Sequence, residues 1–198
     1  MDTATSKALP VVRLSASQDT NDFVKSWSRL YNYAGYDEYK TTVRKSELSK
    51  KDLRLLFAWK NGSDISTKKD RSFLSQLLQH QELLNELKKE FDQKTFEKNF
   101  GKMSAVLQIF LLHILQPSEY PVFDKYVYRA FRFIQNKEEK RLPSDQAKRL
   151  KIFENEYRPF FLDFCMSANA YDHFDVDKAL WTFGKAIREY PGLVRNVI

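Results

Sequence analysis

Asp124 stands at the head of a helical pattern in which Lys125, Arg129 and Arg132 recur at i, i+4 and i+7. That spacing puts three cations on one helix face, opposite an apolar face of Tyr128, Phe131 and Ile134. A carboxylate held rigidly at a helix start can stabilise positive charge in a transition state or orient a water. A cationic stripe can follow a phosphate backbone, although solvated surface explains it equally well. Asp124 also reads as a plain N-cap, its carboxylate accepting backbone amides while Phe123 staples against Val127, and the two roles are compatible. Tyr120, Tyr126 and Tyr128 could stack on an unpaired base, with core packing as the ordinary alternative.

Other chemistry is poorly provided for. There is no glycine-rich phosphate loop, His-Glu-x-x-His, paired-cysteine spacing or Gly-x-Ser-x-Gly. A multi-histidine metal site would need all of His80, His113 and His173, so neither metal nor cofactor is expected.

The run Phe100-Gly101-Lys102-Met103-Ser104-Ala105-Val106, an apolar stretch to Leu115, and Gln116-Pro117-Ser118-Glu119-Tyr120-Pro121-Val122-Phe123-Asp124-Lys125-Tyr126-Val127 resembles the helix-hairpin-helix base-excision DNA glycosylases. The likeness spans residues 100–134, and the turn before Asp124 looks most like that of 8-oxoguanine glycosylases, with one extra residue. The resemblance implies a helical fold, a DNA partner in a repair context, and hydrolysis of the N-glycosidic bond of a damaged or modified base. Asp124 would be the key carboxylate, and Gly101, Lys102, Ser104, Lys125, Arg129 and Arg132 would contact nucleic acid, with Tyr120 and Tyr126 stacking on the base. Family hairpins carry two glycines and a proline, whereas only Gly101 stands here. Bifunctional members place a catalytic lysine at the head of the following helix. Counting back from Pro117 puts Ser104 there, which favours the monofunctional reaction, while matching on the hairpin puts Lys102 nearby as a second candidate catalytic residue, whose neutral amine could attack the anomeric carbon.

The elements that must position these residues are helical. Among 198 residues, 42% are hydrophobic and 15% aromatic, and the scarcity of Gly (5) and Pro (6) argues against a sandwich or barrel. We expect an all-α, compact, non-repetitive bundle of about eight helices over residues 20–198, as one domain or two lobes, after a polar tail at 1–19. Thr20 or Asn21 can cap the first helix, with Gly35 as its left-handed C-cap; Ser49 and Asp52 form a capping box for a helix stopped by Asn61-Gly62. Residues 36–48 read as loop, because Tyr39, Thr41 and Val43 alternate without a partner strand. The steps Phe73, Leu77, His80, Leu84, Leu87 and Phe91 predict one long helix with His80 on its buried face, and Pro159 predicts a break between helices at 145–157 and 159–169.

With 33 Lys and Arg against 26 Asp and Glu, the formal charge is +7, which favours a polyanion such as DNA. The lone Cys165, in an apolar run, suggests a reducing, cytoplasmic setting and an inert thiol. The longest apolar run, Val106 to Leu115, is too short to span a bilayer, so no membrane association is expected. Beside base excision, two other readings remain open: a non-catalytic helical module binding nucleic acid or protein, and a helical subunit whose aromatics form a protein interface.

Overall fold

The computed structural model describes residues 16–17, 19–63, 74–138 and 140–192, and over these every regular element is helical. In chain order they are α1 (Thr20–Ser28), α2 (Tyr36–Val43), α3 (Lys50–Asn61), α4 (Ser75–Gln79), α5 (Gln81–Lys89), α6 (Gln93–Phe100) and α7 (Ala105–Leu115). There follow α8 (Lys125–Ile134), α9 (Gln146–Ile152), α10 (Arg158–Ser167) and α11 (His173–Glu189), with a five-residue π-turn, Phe153–Tyr157, joining α9 to α10.

Helix α7 is apolar on nearly all sides, and a helix of that kind has to be surrounded. From Ile109 to Leu115 every residue is buried, His113 included. Around it, α5 is tied in by Lys88, whose ammonium donates to the carbonyls of Ile114 at 2.6 Å and Val43 at 3.0 Å; burial brings its pKa down to about 8. Helix α11 buries the expected face of Val176, Leu180, Phe183 and Ile187. It runs against α1 through Phe183, whose ring lies 5.3 Å from Phe23 and 5.1 Å from Trp27.

The capping box of Ser49 and Asp52 and the left-handed Gly62 (φ 75°) bound α3 as the sequence predicts. Several expectations are corrected. The cap of α1 is Asp19, and Gly35 (φ 71°) lies ahead of α2 instead of ending α1. Residues 36–43 are helix and not loop: Tyr39 and Val43 are spaced i, i+4 as well as alternating, and Tyr39, Thr42 and Val43 are buried together while Thr41 is exposed. The long periodic helix is cut at His80 (φ −97°, ψ 19°), which is exposed instead of on the buried face, although Leu77, Leu84 and Leu87 are buried as expected; Phe73 lies outside the described residues. Pro159 does not separate two helices. The π-turn widens the helix just before it, and the proline sits in the first turn of α10, where its missing amide hydrogen is least needed. Cys165 is half-buried on α10, and burial pushes its thiol up to about 12, so it is inert at neutral pH.

Helices α8 and α11 meet backbone to backbone. A Cβ built on Gly184 would lie 2.0 Å from the Tyr126 carbonyl oxygen, closer than any side chain permits. Gly184→Ala should therefore force the two helices apart and cost about 2 kcal/mol or more in urea unfolding, at the upper end of overpacking penalties.

His113 joins α7 to two other segments. Its Nδ1 lies 2.7 Å from the Tyr120 carbonyl and its Nε2 meets the Tyr39 hydroxyl. A carbonyl only accepts, so Nδ1 carries the hydrogen and Tyr39 donates to Nε2. Burial lowers the imidazole pKa from 6.5 to about 3, outweighing the Tyr120 carbonyl, which raises it. The folded state thus keeps His113 neutral where the unfolded chain would protonate it. Its contribution is present above pH 6.5 and is lost as pH falls from there toward 3. Between pH 6.5 and 5 the stability of His113→Gln should fall less steeply than that of the wild type, the slopes differing by about 1 kcal/mol per pH unit.

Candidate functional site

Four stretches separated in sequence converge on one pocket. Its walls are aromatic: Tyr31 and Tyr33 from the α1–α2 connection, Tyr36 and Tyr39 from α2, Trp59 from α3 and Trp181 from α11. Val122, Val127 and Phe174 add apolar surface, and Lys60, Asp177 and Lys178 supply charge. The rings brace one another. Trp59 stacks on Tyr39 with centroids 3.6 Å apart and planes 9° from parallel, while Tyr33 meets the edges of Trp59 at 5.5 Å and Trp181 at 5.7 Å. The Tyr33 hydroxyl donates to the Trp59 carbonyl at 3.1 Å.

Asp124 is fastened to this wall. As N-cap of α8 its Oδ1 accepts the amides of Tyr126 at 2.7 Å and Val127 at 3.1 Å, and its Oδ2 accepts the indole N–H of Trp181 at 3.2 Å. Three donors on one half-buried carboxylate leave it little freedom, while Oδ2 keeps acceptor capacity. Its charge reaches the pocket: it raises the pKa values of Tyr31 and Tyr33, secondary to burial in both, and counters the burial that lowers the pKa of Lys60.

Sequence reasoning missed Asp177, on α11. It is buried and holds the Val122 amide only at 3.5 Å. Burial drives its carboxyl well above the usual range, Asp124 adds to that, and the Val122 amide and Lys60 oppose it. Lys60, half-buried, donates to the Phe123 carbonyl at 3.4 Å and lies 5.5 Å over the Phe110 ring. Lys178 is paired with Asp175 at 2.5 Å.

The residues singled out in the sequence are only partly brought together. Asp124, Lys125 and Tyr126 lie beside the pocket, Lys125 exposed with its ammonium 5.0 Å over Tyr126, and Tyr126 edge-on to Trp181 at 5.1 Å. Arg129 donates to the Gly184 carbonyl at 3.2 Å, and Arg132 donates twice to the Glu138 carbonyl, so both serve the fold. Tyr120 is a core residue and not a stacking platform: it is buried, with Phe91 at 5.8 Å and Phe153 at 6.5 Å. Gly101, Lys102 and Ser104 form the exposed α6–α7 turn and are not pocket-lining residues. Gln108 closes that turn by donating to the carbonyls of Gly101 and Met103, and Gln146 takes the Ala105 amide.

Two cations unremarked in the sequence complete the rim. Lys185 lies 5.3 Å over the Trp181 ring, and Arg188 donates to the Tyr126 hydroxyl at 3.2 Å. With Lys125 they form a cationic edge around Tyr126 and Trp181, and none of the three is ion-paired among the described residues.

Among the described residues no three His, Cys, Asp or Glu side chains cluster as a metal site would require, and no helix is long and apolar enough to cross a membrane. Comparison with family models, with curated proteins and with solved structures gave no match.

The Asp124–Trp181 bond makes a defined prediction. Asp124→Asn can keep its oxygen on the two amides but then turns an NH2 toward the indole N–H, donor against donor. It should cost about 1–2 kcal/mol, and Trp181→Phe should remove most of that penalty. A double-mutant cycle by thermal unfolding measures the coupling, and additive effects would show that the bond does not form.

Proposed function

We propose that the pocket receives an unstacked base of a DNA strand and that Asp124 promotes hydrolysis of its N-glycosidic bond. The observation that carries this reading is the fastening of the Asp124 carboxylate to Trp181, a wall of an aromatic pocket edged by the cations Lys125, Lys185 and Arg188, which have no ion-pair partner among the described residues. A base has two π-faces, and aromatic walls bind it by stacking whatever its sequence context. The cationic edge suits the phosphates flanking it.

Bond cleavage builds positive charge on the deoxyribose. A carboxylate already fixed by three N–H donors stabilises that charge without reorganising, and the remaining acceptor capacity of Oδ2 can orient a water toward the anomeric carbon. No lysine stands at position 104, and Lys102 lies on the exposed turn, which favours hydrolysis over a covalent route through that segment. The same pocket without the chemical step would act as a reader of unpaired bases, the second function it fits.

The test offers single strands and duplexes carrying a panel of modified bases, followed by alkali to reveal abasic sites. Asp124→Asn should cut excision by about a hundredfold or more while DNA binding survives. Lys102→Ala should leave excision unchanged. Neutralising Lys125, Lys185 and Arg188 together should weaken binding and reduce its salt dependence by roughly 0.7–0.9 in slope per lost phosphate contact. Binding without cleavage would leave the base-reader function, and absence of binding would remove both.

A further inference from the structure

A second cavity lies between α8 and α10 and is lined as well by the π-turn that joins α9 to α10. Its volume is about 430 Å³, within the roughly 300–1,000 Å³ usual for ligand pockets. It belongs to the far end of α8 from Asp124: Tyr126 and Gln135 are separated by about 13 Å along the helix axis.

One wall is a single face of α10, on which Phe160, Asp163, Phe164 and Ser167 fall at i, i+3, i+4 and i+7. Phe160 and Phe164 are half-buried, their ring centroids 5.5 Å apart, so each keeps ring surface open to the cleft they line. Asp163 is exposed, and its carboxylate has no ion-pair or hydrogen-bond partner among the described residues.

The opposite wall shows what such a surface can hold. Lys137, just past the end of α8, places its ammonium 4.7 Å from the centroid of the Phe131 ring and 2.9 Å from Oε2 of Glu156. There an aromatic face and a carboxylate together hold a cation. Phe160, Phe164 and Asp163 repeat that combination on α10, with no cation supplied to it by the described residues.

We infer that this cleft binds an arginine side chain carried on a peptide segment of a partner protein. A guanidinium is planar and weakly hydrated, so it can lie on an aromatic face while giving two parallel hydrogen bonds to one carboxylate. A lysine ammonium is a more strongly hydrated point charge and gains less from both. Asn155 of the π-turn and Gln135 at the end of α8 are exposed, and their side-chain amides have no hydrogen bond among the described residues. Each offers a donor and an acceptor, which match the carbonyl and N–H of a peptide unit and would be left unused by a free alkylguanidine. The overall charge of +7 does not forbid a basic partner. Within the lining Lys137 and Glu156 neutralise each other and leave Asp163, while charges more than about 10 Å away are screened at physiological salt.

The experiment titrates the nitrogen-15-labelled full chain with blocked tripeptides Gly-Xaa-Gly, in which the central residue is arginine, lysine or citrulline, and with agmatine as a free alkylguanidine. The arginine peptide should shift amide resonances of α10 and the π-turn. It should bind about tenfold more tightly than the citrulline peptide, its neutral counterpart of nearly the same shape, and more tightly than the lysine peptide or agmatine. Asp163→Asn, an isosteric change at an exposed position, should keep the helical circular dichroism and weaken the arginine peptide about tenfold. Asp124→Asn should bind that peptide as wild type does, which separates this site from the aromatic pocket. Equal binding of the citrulline peptide, unchanged affinity in Asp163→Asn, shifts centred on Tyr126 and Trp181, or no binding at all would overturn the inference. Lysine bound as tightly as arginine would overturn the guanidinium assignment, and agmatine bound as tightly as the arginine peptide would overturn the assignment to a peptide.

Discussion

An imidazole buried in an apolar helix must find two partners, and the two that His113 finds determine how the rest of the molecule is arranged. Its Nδ1 holds the Tyr120 carbonyl, which fixes the turn leading through Val122 and Phe123 to Asp124. Its Nε2 holds the Tyr39 hydroxyl, and Tyr39 in turn carries Trp59 on its ring face. One side chain of the central helix therefore sets both the carboxylate and the aromatic wall opposite it. Because the interior is close-packed, loss of that bond would propagate to each.

Asp124 illustrates how a structural role can support the chemical role proposed for it. Capping satisfies two amides that α8 would otherwise leave open, and the same bonds hold the carboxylate in one orientation. The Trp181 indole adds a third bond from a helix distant in sequence. Helix α11 can present that indole because Gly184, three residues on, lets its backbone lie directly on the Tyr126 carbonyl. The pocket thus depends on a glycine that never touches its interior. Preorganisation of this kind is what electrostatic catalysis requires, since donors that are already placed need not move when charge develops.

The net charge of +7 says little about where an anion would bind, because many cations are spent on the fold. Lys40 and Arg44 hold Asp172, Arg149 bonds the Pro143 carbonyl, Arg158 the Glu119 carbonyl, and Arg132 the Glu138 carbonyl. What remains at the pocket rim is Lys125, Lys185 and Arg188, from two helices that meet only in three dimensions. A helical stripe read from the sequence finds one of these three.

The sequence by itself determined whatever depends on neighbours within one or two helical turns. The helical class, the Ser49–Asp52 capping box, the Gly62 stop, the Asp124 cap and the buried face of α11 all follow from i to i+4 geometry and backbone amides a few residues away. It misjudged Tyr39 and Val43, whose spacing fits a strand as well as a helix, and His80, where the backbone leaves the helix that the apolar pattern continues. Only the tertiary structure decided the pocket. Tyr31, Trp59, Val122, Asp177 and Trp181 each look like ordinary core or surface residues in their own segments. They come to line one pocket because α7 and Gly184 bring those segments together, and contacts between residues scores of positions apart leave no periodic trace along the chain.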